Sequence, residues 1–488
     1  MAAELDPTDR EFFAMVSRAA HVNPFGDERD ALDARIAESE GRDPELIDRL
    51  LARVEERLVA LAADDLLDPS LYAHRDGQIL EHAILFETFH RVVDRIDAMI
   101  EAQLAAGDEP IEVPFAAEVL ARLRERGVGR ERSIRMLGLF WQMRRAYHFI
   151  VTRLTGVSPS MKRLRQTLWS AVFTHDGERF EDLLWDRLED FSLIIRGETG
   201  TGKGQAAAAI GRSGYVPFDE DAMTFQASFT ELFVPINLSQ FPVSLIESEL
   251  FGHRKGAFTG AVDSHAGAFS RCRPHGAIFL DEIGEVSIPV QIKLLRVLQD
   301  RLFCPVGSHE ERRFDGRVIA ATHRDLDAAR RDGRFRNDFY YRLCSDVIEV
   351  PPLRVRLAES PEELVALTSH LVERIVGQPD DAVVERVVEV VRDDLPPDYA
   401  WPGNVRELEQ CVRRVLLTDR FGPDPAGGHA VAGGDWIDRA KAGSLEARDL
   451  VAHYCAALHE RHGTYEEVAR ITGLDRRTVK KYVQQVNG

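Results

Sequence analysis

Two short segments of this 488-residue sequence combine residue types that handle phosphate. In the first, Gly197-Glu198-Thr199-Gly200-Thr201-Gly202-Lys203 follows the apolar run Leu193-Ile194-Ile195-Arg196 and precedes a helix-like stretch at 206–210. In a strand–glycine loop–helix of this kind, backbone N–H groups turn inward around phosphates, and the lysine supplies a point charge toward the β- and γ-phosphates. Gly204 follows the lysine, so no hydroxyl stands there for Mg2+, and water must fill that place. In the second segment, Ala277-Ile278-Phe279-Leu280 delivers Asp281 and Glu282 to a strand end, the edge at which parallel sheets bind ligands. In a nucleoside triphosphatase, Asp281 would hold the Mg2+ shell and Glu282 would orient the attacking water. A ligand-free glycine turn and an acidic helix start are the plainer readings, and the pairing of the two segments argues against both. Arg336 and Arg342 are candidates for stabilising the transferring phosphoryl group, a role typically worth ~10³–10⁵ in rate, although surface ion pairs use the same residue type.

Other elements must position these groups. Ile47, Leu50, Val54, Leu58 and Leu61 recur at helical spacing, as do apolar residues in 79–100 and 134–154. The pattern predicts an all-helical domain over 1–155. Past Gly156, apolar runs at 191–196, 233–237, 277–281, 317–322 and 347–350 alternate with helical stretches. That alternation predicts an α/β domain over 156–352, with a parallel sheet covered by helices on both faces. A helical subdomain follows over 353–420. Residues 421–443, rich in Gly, Pro and Ala, read as a linker, and 444–488 as a small helical module.

Composition narrows the class. With 44% hydrophobic and 29% charged residues the chain can bury a sizeable core, and a net charge of −19 argues against nucleic-acid binding over its whole surface. The five cysteines form no C-x-x-C pair, which fits a reducing, cytoplasmic setting without disulfides or a thiolate metal site. The acidic N-terminus is not that of a signal peptide, and no apolar run approaches the ~18 residues that would span a membrane.

Between the two phosphate-handling segments lies Gly256-Ala257-Phe258-Thr259-Gly260-Ala261. Its glycines permit unusual backbone geometry, its alanines keep it slim, and Phe258 has nothing local to pack on. Composition alone leaves two readings open: a loop that presents Phe258, and a hairpin that folds it into the core. At the far end of the chain, residues 464–484 read as helix-turn-helix, with Gly473 at the turn and Leu474, Val479 and Val483 facing inward. Arg476, Arg477, Thr478, Lys480 and Lys481 on its second helix suit phosphates and guanine edges. Six Lys/Arg against three Asp/Glu after residue 460 make this end locally basic. A small packing bundle is the alternative.

With these residues in view, the chain resembles the sigma-54-dependent transcriptional activators, the bacterial enhancer-binding branch of the AAA+ ATPases. The resemblance rests on Glu249-Leu-Phe-Gly-His-Arg-Lys-Gly-Ala-Phe-Thr-Gly-Ala261, Phe279-Leu-Asp-Glu-Ile-Gly-Glu285, Gln291-Ile-Lys-Leu-Leu-Arg-Val-Leu-Gln299 and Trp401-Pro-Gly-Asn-Val-Arg-Glu-Leu-Glu409. It implies ATP and Mg2+ as cofactors and a homo-oligomeric ring, usually a hexamer, with Arg336 and Arg342 reaching a neighbour's site. It also implies that Arg406 senses the γ-phosphate and that Asn237 holds Glu282 in a nucleotide-dependent switch. The loop at 256–261, through Phe258 and Thr259, would engage sigma-54 in the RNA polymerase holoenzyme, and a Fis-type module would bind double-stranded DNA at an upstream activator site. The sequence departs from the family at Gly204, where a glutamate is usual, at His323, where the polar sensor is usually asparagine, and in an apparent insertion at 215–229.

The first 155 residues match no sensor domain by pattern and read as a helical interaction domain. Glu87-x-x-His90 with Glu81, His82 and Asp94 could be metal ligands, but one such cluster lacks the second expected of a di-metal bundle. Solvated positions on an amphipathic helix are the simpler reading, and Phe140, Trp141, Tyr147 and Phe149 read as core. Two alternatives to the activator remain: an AAA+ remodeller of another protein, and a non-enzymatic DNA-binding repressor.

Overall fold

The computed structural model describes residues 3–39, 45–396, 398–421 and 446–487. Helices α1 (Pro7–His21), α2 (Asp27–Ala37), α3 (Leu46–Ala63), α4 (His74–Ala106), α5 (Ala116–Glu125), α6 (Arg130–Arg153) and α7 (Pro159–Phe173) build the N-terminal layer. The long α4 is its axis and packs on α1, α3, α5 and α6. Asp76, on its first turn, fixes the chain start by accepting from Leu5 N at 3.1 Å and from Arg10 at 2.9 and 2.7 Å.

The α/β part follows in chain order: β1 (Leu193–Arg196), α8 (Lys203–Gly211), β2 (Phe218–Asp219), β3 (Thr224–Phe225), β4 (Phe233–Asn237), α9 (Val243–Phe251), β5 (Ala277–Asp281), α10 (Ile288–Asp300), β6 (Leu302–Phe303), β7 (Arg312–Arg313), β8 (Arg317–Thr322), α11 (Asn337–Leu343) and β9 (Asp346–Glu349). Strands β4-β5-β8-β1-β9 form one sheet, parallel at every pairing. All five predicted strands are present. The first starts two residues late, because Phe191 is exposed and gives its carbonyl to Arg317 Nε at 2.9 Å. The last spans Asp346–Glu349 rather than 347–350.

The segment at 215–229 is a clasp. It carries the β2–β3 hairpin, whose Phe225 stacks on Trp141 of α6 at 5.1 Å, and Phe229 behind it is fully buried. One hydrophobic cluster therefore runs from the N-terminal helices through Trp141, Phe149 and Phe229 to Ala206 and Ile210 of α8, so the core does not break at residue 156. The junction itself is pinned. Buried Glu363 accepts from Ser158 N at 2.8 Å and from Arg356 Nε at 2.6 Å, and Arg356 also donates to Thr155 O.

Beyond the sheet come α12 (Leu353–Glu359), α13 (Glu362–Val376), α14 (Asp381–Asp394) and α15 (Asn404–Thr418). Residues 1–388 with 398–416 form one compact unit, and 389–397 with 417–488 a second. The second unit holds α16 (Ala447–His462), α17 (Tyr465–Thr472) and α18 (Arg476–Asn487) around Cys455, Val468, Val479 and Val483. Gly473, at φ +69°, makes the turn from α17 to α18. Of the 421–443 stretch read as linker, 422–443 lie outside the described residues. No helix among those described is long and apolar enough to cross a membrane.

Candidate nucleotide site and its loops

The carboxyl edge of the sheet gathers the sequence-predicted groups. Asn237 and Asp281 are register partners on β4 and β5, as are Arg196 and Thr322 on β1 and β8. The glycine loop leaves β1 and feeds α8 with Lys203 at its first position. The lysine is nearly buried, and its ammonium donates to Gly197 O at 2.9 Å and Glu198 O at 3.1 Å. Burial lowers its pKa, while the nearby carboxylates of Glu282 and Asp281 pull the other way. Asp281 is raised, chiefly by burial and then by Glu282 beside it. A buried cation, two facing carboxylates and a helix N-terminus make a fitting cradle for a nucleotide phosphate chain. Gly204 leaves open space, since a Cβ there would meet nothing nearer than Phe279 at 3.9 Å. Among the described residues no three His, Cys, Asp or Glu side chains converge as a metal site.

Glu282 takes a left-handed backbone conformation at φ +60°, which turns its carboxylate off the strand line. His323 meets it there, with Nδ1 at 2.7 Å and backbone N at 3.4 Å from Oε2. Asn237 does not hold Glu282. Its side-chain oxygen accepts from Ser239 N at 3.0 Å and Ser239 Oγ at 2.7 Å. This departs from the switch implied by the resemblance, because an asparagine ending a strand caps the following turn when that turn offers donors.

The loop also docks on the helical subdomain, which sequence reasoning missed. Buried Asn404 donates to Thr199 O at 3.0 Å and Glu198 Oε2 at 3.2 Å, and accepts from Leu353 N at 2.8 Å. Arg354 grips Glu198 with bonds of 2.6 and 2.8 Å. Gly200 needs its φ of +81° and its lack of a side chain, since a Cβ would lie 2.1 Å from Gly403 O. Arg406 is exposed, with its Cβ beside Gly200. The available signal was an asparagine at the first position of α15.

Arg336 caps the start of α11 and Arg342 lies in its last turn. Arg336 pairs with Asp338 at 2.7 Å, and Arg342 Nε donates to Leu298 O at 3.0 Å. Buried Gln291 of α10, also missed, fixes the Arg336 backbone. It accepts from Arg336 N at 2.9 Å and donates to Arg334 O at 2.9 Å and Val286 O at 3.0 Å.

The 256–261 loop is closed by Gly256 N donating to Ala261 O at 2.8 Å, with Gly256 at φ +79° and Gly260 at φ +104°. His253 pairs with His265 at its base. Phe258 is not folded into the core; it is 38% exposed and leans edge-on against His253 at 5.0 Å. Thr259 is exposed beside it. In the C-terminal unit, Arg476, Arg477, Lys480 and Lys481 are exposed on α18 and Thr478 is half-buried.

Glu87, His82 and His90 are neither solvated positions nor a metal cluster. Glu87 is buried, with Arg91 at 2.9 Å and Arg122 and Arg126 each at 2.7 Å, and both histidines line a cavity. Sequence pattern misassigned them because the helix is covered on several sides, not one.

A parallel sheet whose edge brings a glycine loop, a buried lysine and an acidic strand end together is that of a P-loop nucleotide-binding domain. The comparisons specify the kind. Residues 183–349 match the sigma-54 interaction domain family, so the chain carries that domain. The DNA-binding transcriptional regulator NtrC of Azospirillum brasilense is 38% identical over 265 residues, 54% of this chain and 47% of that relative. The transcriptional regulatory protein ZraR of Klebsiella oxytoca is 38% identical over 296 residues, 59% and 62% respectively. The Nif-specific regulatory protein of Klebsiella pneumoniae is 36% identical over 354 residues, 69% and 59%. The chain thus spans about half to three-fifths of the length of the curated relatives it matches. A solved structure of NtrX from Brucella abortus aligns over 76% of this chain and 80% of its own at 22% identity, with a TM-score of 0.41. A likeness that distant leaves the fold to be read from the sheet itself.

Proposed function

We propose that this chain is a sigma-54-dependent transcriptional activator: a DNA-bound ATPase that remodels the closed complex of sigma-54 RNA polymerase holoenzyme through the loop at 256–261. The observation that carries this reading is topological. The Phe258 loop is inserted between β4 and β5, whose ends bear Asn237 and Asp281, so its base is tied to the strands that would respond to nucleotide.

In this reading, Gly197 to Gly204 wrap the phosphates and Lys203 leaves its two carbonyls for them. Mg2+, held through Asp281 and water, supplies charge neutralisation on the phosphates when bound. Glu282 orients the attacking water, His323 and Arg406 respond to the γ-phosphate, and Arg336 and Arg342 act on the site of a neighbouring copy in a hexameric ring. Asn237 would exchange Ser239 for Glu282 when nucleotide shifts the carboxylate. Residues 1–155 form the regulatory layer, 156–352 and 353–420 the motor and its lid, and 444–488 a helix-turn-helix that reads upstream DNA through Arg476, Arg477, Thr478, Lys480 and Lys481, in the cytoplasm.

The test is a sigma-54 binding assay with ADP and aluminium fluoride, a transition-state mimic. Complex formation that depends on the mimic and is lost in Phe258→Ala supports the reading. No complex, in a chain that hydrolyses ATP, would sink it in favour of a remodeller of another protein.

A further inference from the structure

Helix α6 has two working faces. One turns Leu139, Phe140, Met143 and Tyr147 toward a cavity of about 430 Å³ that is partly open to solvent and bounded by α1, α2, α4, α7 and the turn at 177–181. Protein interiors hold few voids larger than a water molecule, and ligand sites have volumes of this order. The space is lined mainly by apolar and aromatic side chains, among them Phe86, Phe89, Trp169 and Phe180.

The charges at its wall are already matched. Arg29 holds Asp33 with two bonds of 2.8 Å, Arg144 holds Asp97 at 2.6 Å, and Glu181 is held by Arg132 and by His21 at 3.5 Å. Asp30 is exposed to solvent. Two buried imidazoles supply the polar points. His90 Nδ1 donates to Phe86 O at 2.8 Å, which leaves Nε2 as an acceptor, 3.4 Å from Arg29. His82 Nδ1 lies 2.8 Å from Ser17 Oγ. A charged ligand would find no free counter-charge beyond solvent-exposed Asp30 and would forfeit its hydration, whereas an uncharged apolar one would bury its surface against the aromatic lining.

The opposite face of α6 touches the phosphate-loop helix. Gln142 donates to Ser213 O at 3.0 Å, and buried Arg145 donates to Arg212 O at 2.6 Å and Gly214 O at 2.7 Å. These carbonyls lie at the cap and just past the end of α8, the helix that begins at Lys203.

We propose that the chamber binds an uncharged, largely apolar small molecule with a single hydrogen-bonding group, and that α6 passes its occupancy to the nucleotide site. Only the second clause rests on the nucleotide reading above.

The experiment titrates the full chain calorimetrically with indole and 2-naphthol, against benzoate and benzylamine as charged probes of similar size. Saturable one-site binding of the uncharged probes is expected, with neither charged probe competing. Val93→Phe at the chamber rim and Leu139→Trp inside it should each weaken indole by about tenfold or more, and Val93→Phe should leave the melting temperature unchanged, so that a folding defect in Leu139→Trp does not decide the matter. Absence of saturable binding, stronger binding of a charged probe, or full binding to filled variants that fold would overturn the chamber. For the coupling, indole should shift the affinity of a fluorescent ADP by about fivefold or more, and not in Val93→Phe. An unshifted affinity overturns the coupling alone, and a chain that binds no ADP refutes the nucleotide reading while the calorimetric result stands.

Discussion

His323, not Asn237, holds Glu282: its Nδ1 lies 2.7 Å from the carboxylate and its backbone N 3.4 Å. The two residues sit at the ends of adjacent strands, β8 and β5, so the bond spans the sheet edge where a phosphate would arrive. Hydrogen bonds to a charged group are typically worth ~1.5–3 kcal/mol. His323→Ala should therefore lower the turnover of ATP about ten- to a hundredfold, while Glu282→Gln lowers it by ~10²–10⁴ with nucleotide binding retained. Phosphate-release kinetics separate the two, and an unchanged rate in His323→Ala would make the bond incidental.

Gln291 is buried in α10 and fastens the backbone at Val286, Arg334 and Arg336, one bond to each. Gln291→Leu strands those groups at ~1–3 kcal/mol each and should loosen Arg336. In the ring proposed above Arg336 acts on a neighbour's site, so the loss should appear as a fall in ATP turnover that grows with protein concentration relative to wild type, with nucleotide affinity intact. Rate measurements across a dilution series read this directly.

The strands, the glycine loop and the acidic pair were legible because each is a local pattern: an apolar run, a turn composition, a strand end. Asn404, Gln291 and Arg145 were not, because their partners lie far along the chain and a buried polar residue in an amphipathic helix looks like any other. The cavity was hidden for a related reason. His82 and His90 fall on a helix covered on several sides, where period alone does not separate solvent from interior. The hairpin at 218–225 read as a mere insertion, since only its stacking on Trp141 reveals its work.

Burial, and then neighbouring His21, holds the His82 pKa down at about 4; burial, and then Arg29, holds that of His90 at about 3. In the unfolded chain both return to the ordinary histidine value near 6.5. Between those values the unfolded state binds more protons, so acid favours unfolding. The stability they confer is complete above about pH 6.5 and is lost as pH falls toward 4, at up to roughly 3 kcal/mol for His82. His21 has the opposite sign. It is raised by Glu181 despite its burial, so its contribution is present below its unfolded pKa and fades as pH climbs. Denaturant melts from pH 7 to 4 should show the decline, and His90→Gln should flatten it.

The Phe258 loop is separated from the hydrolytic groups by its own closed turn, Gly256 N to Ala261 O. Thr259→Ala should leave ATP turnover within about twofold of wild type, because no site group touches it, a surface change being worth ~0.5 kcal/mol. It should abolish sigma-54 binding and open-complex formation. If ATP turnover falls with them, the loop is structural.

Arg145 is fully buried without a carboxylate partner, and burial alone lowers its pKa to about 9. What keeps it charged is the carbonyl end of α8: Arg212 O, Gly214 O and, from its own helix, Trp141 O at 3.2 Å. A cation at a helix C-terminus meets the negative end of the helix dipole, and in partly buried settings that is worth up to ~2 kcal/mol. Arg145→Met removes the charge but keeps most of the volume, so the loss measures the fork rather than a cavity. It leaves carbonyls without donors at ~1–3 kcal/mol each. Arg145→Lys should rescue little, since one ammonium cannot reproduce a planar fork. Both variants should unfold at lower denaturant. Because the carbonyls lie just past the helix that carries Lys203, both variants should also weaken ADP binding, whereas an Arg212→Ala control keeps the carbonyl and should not.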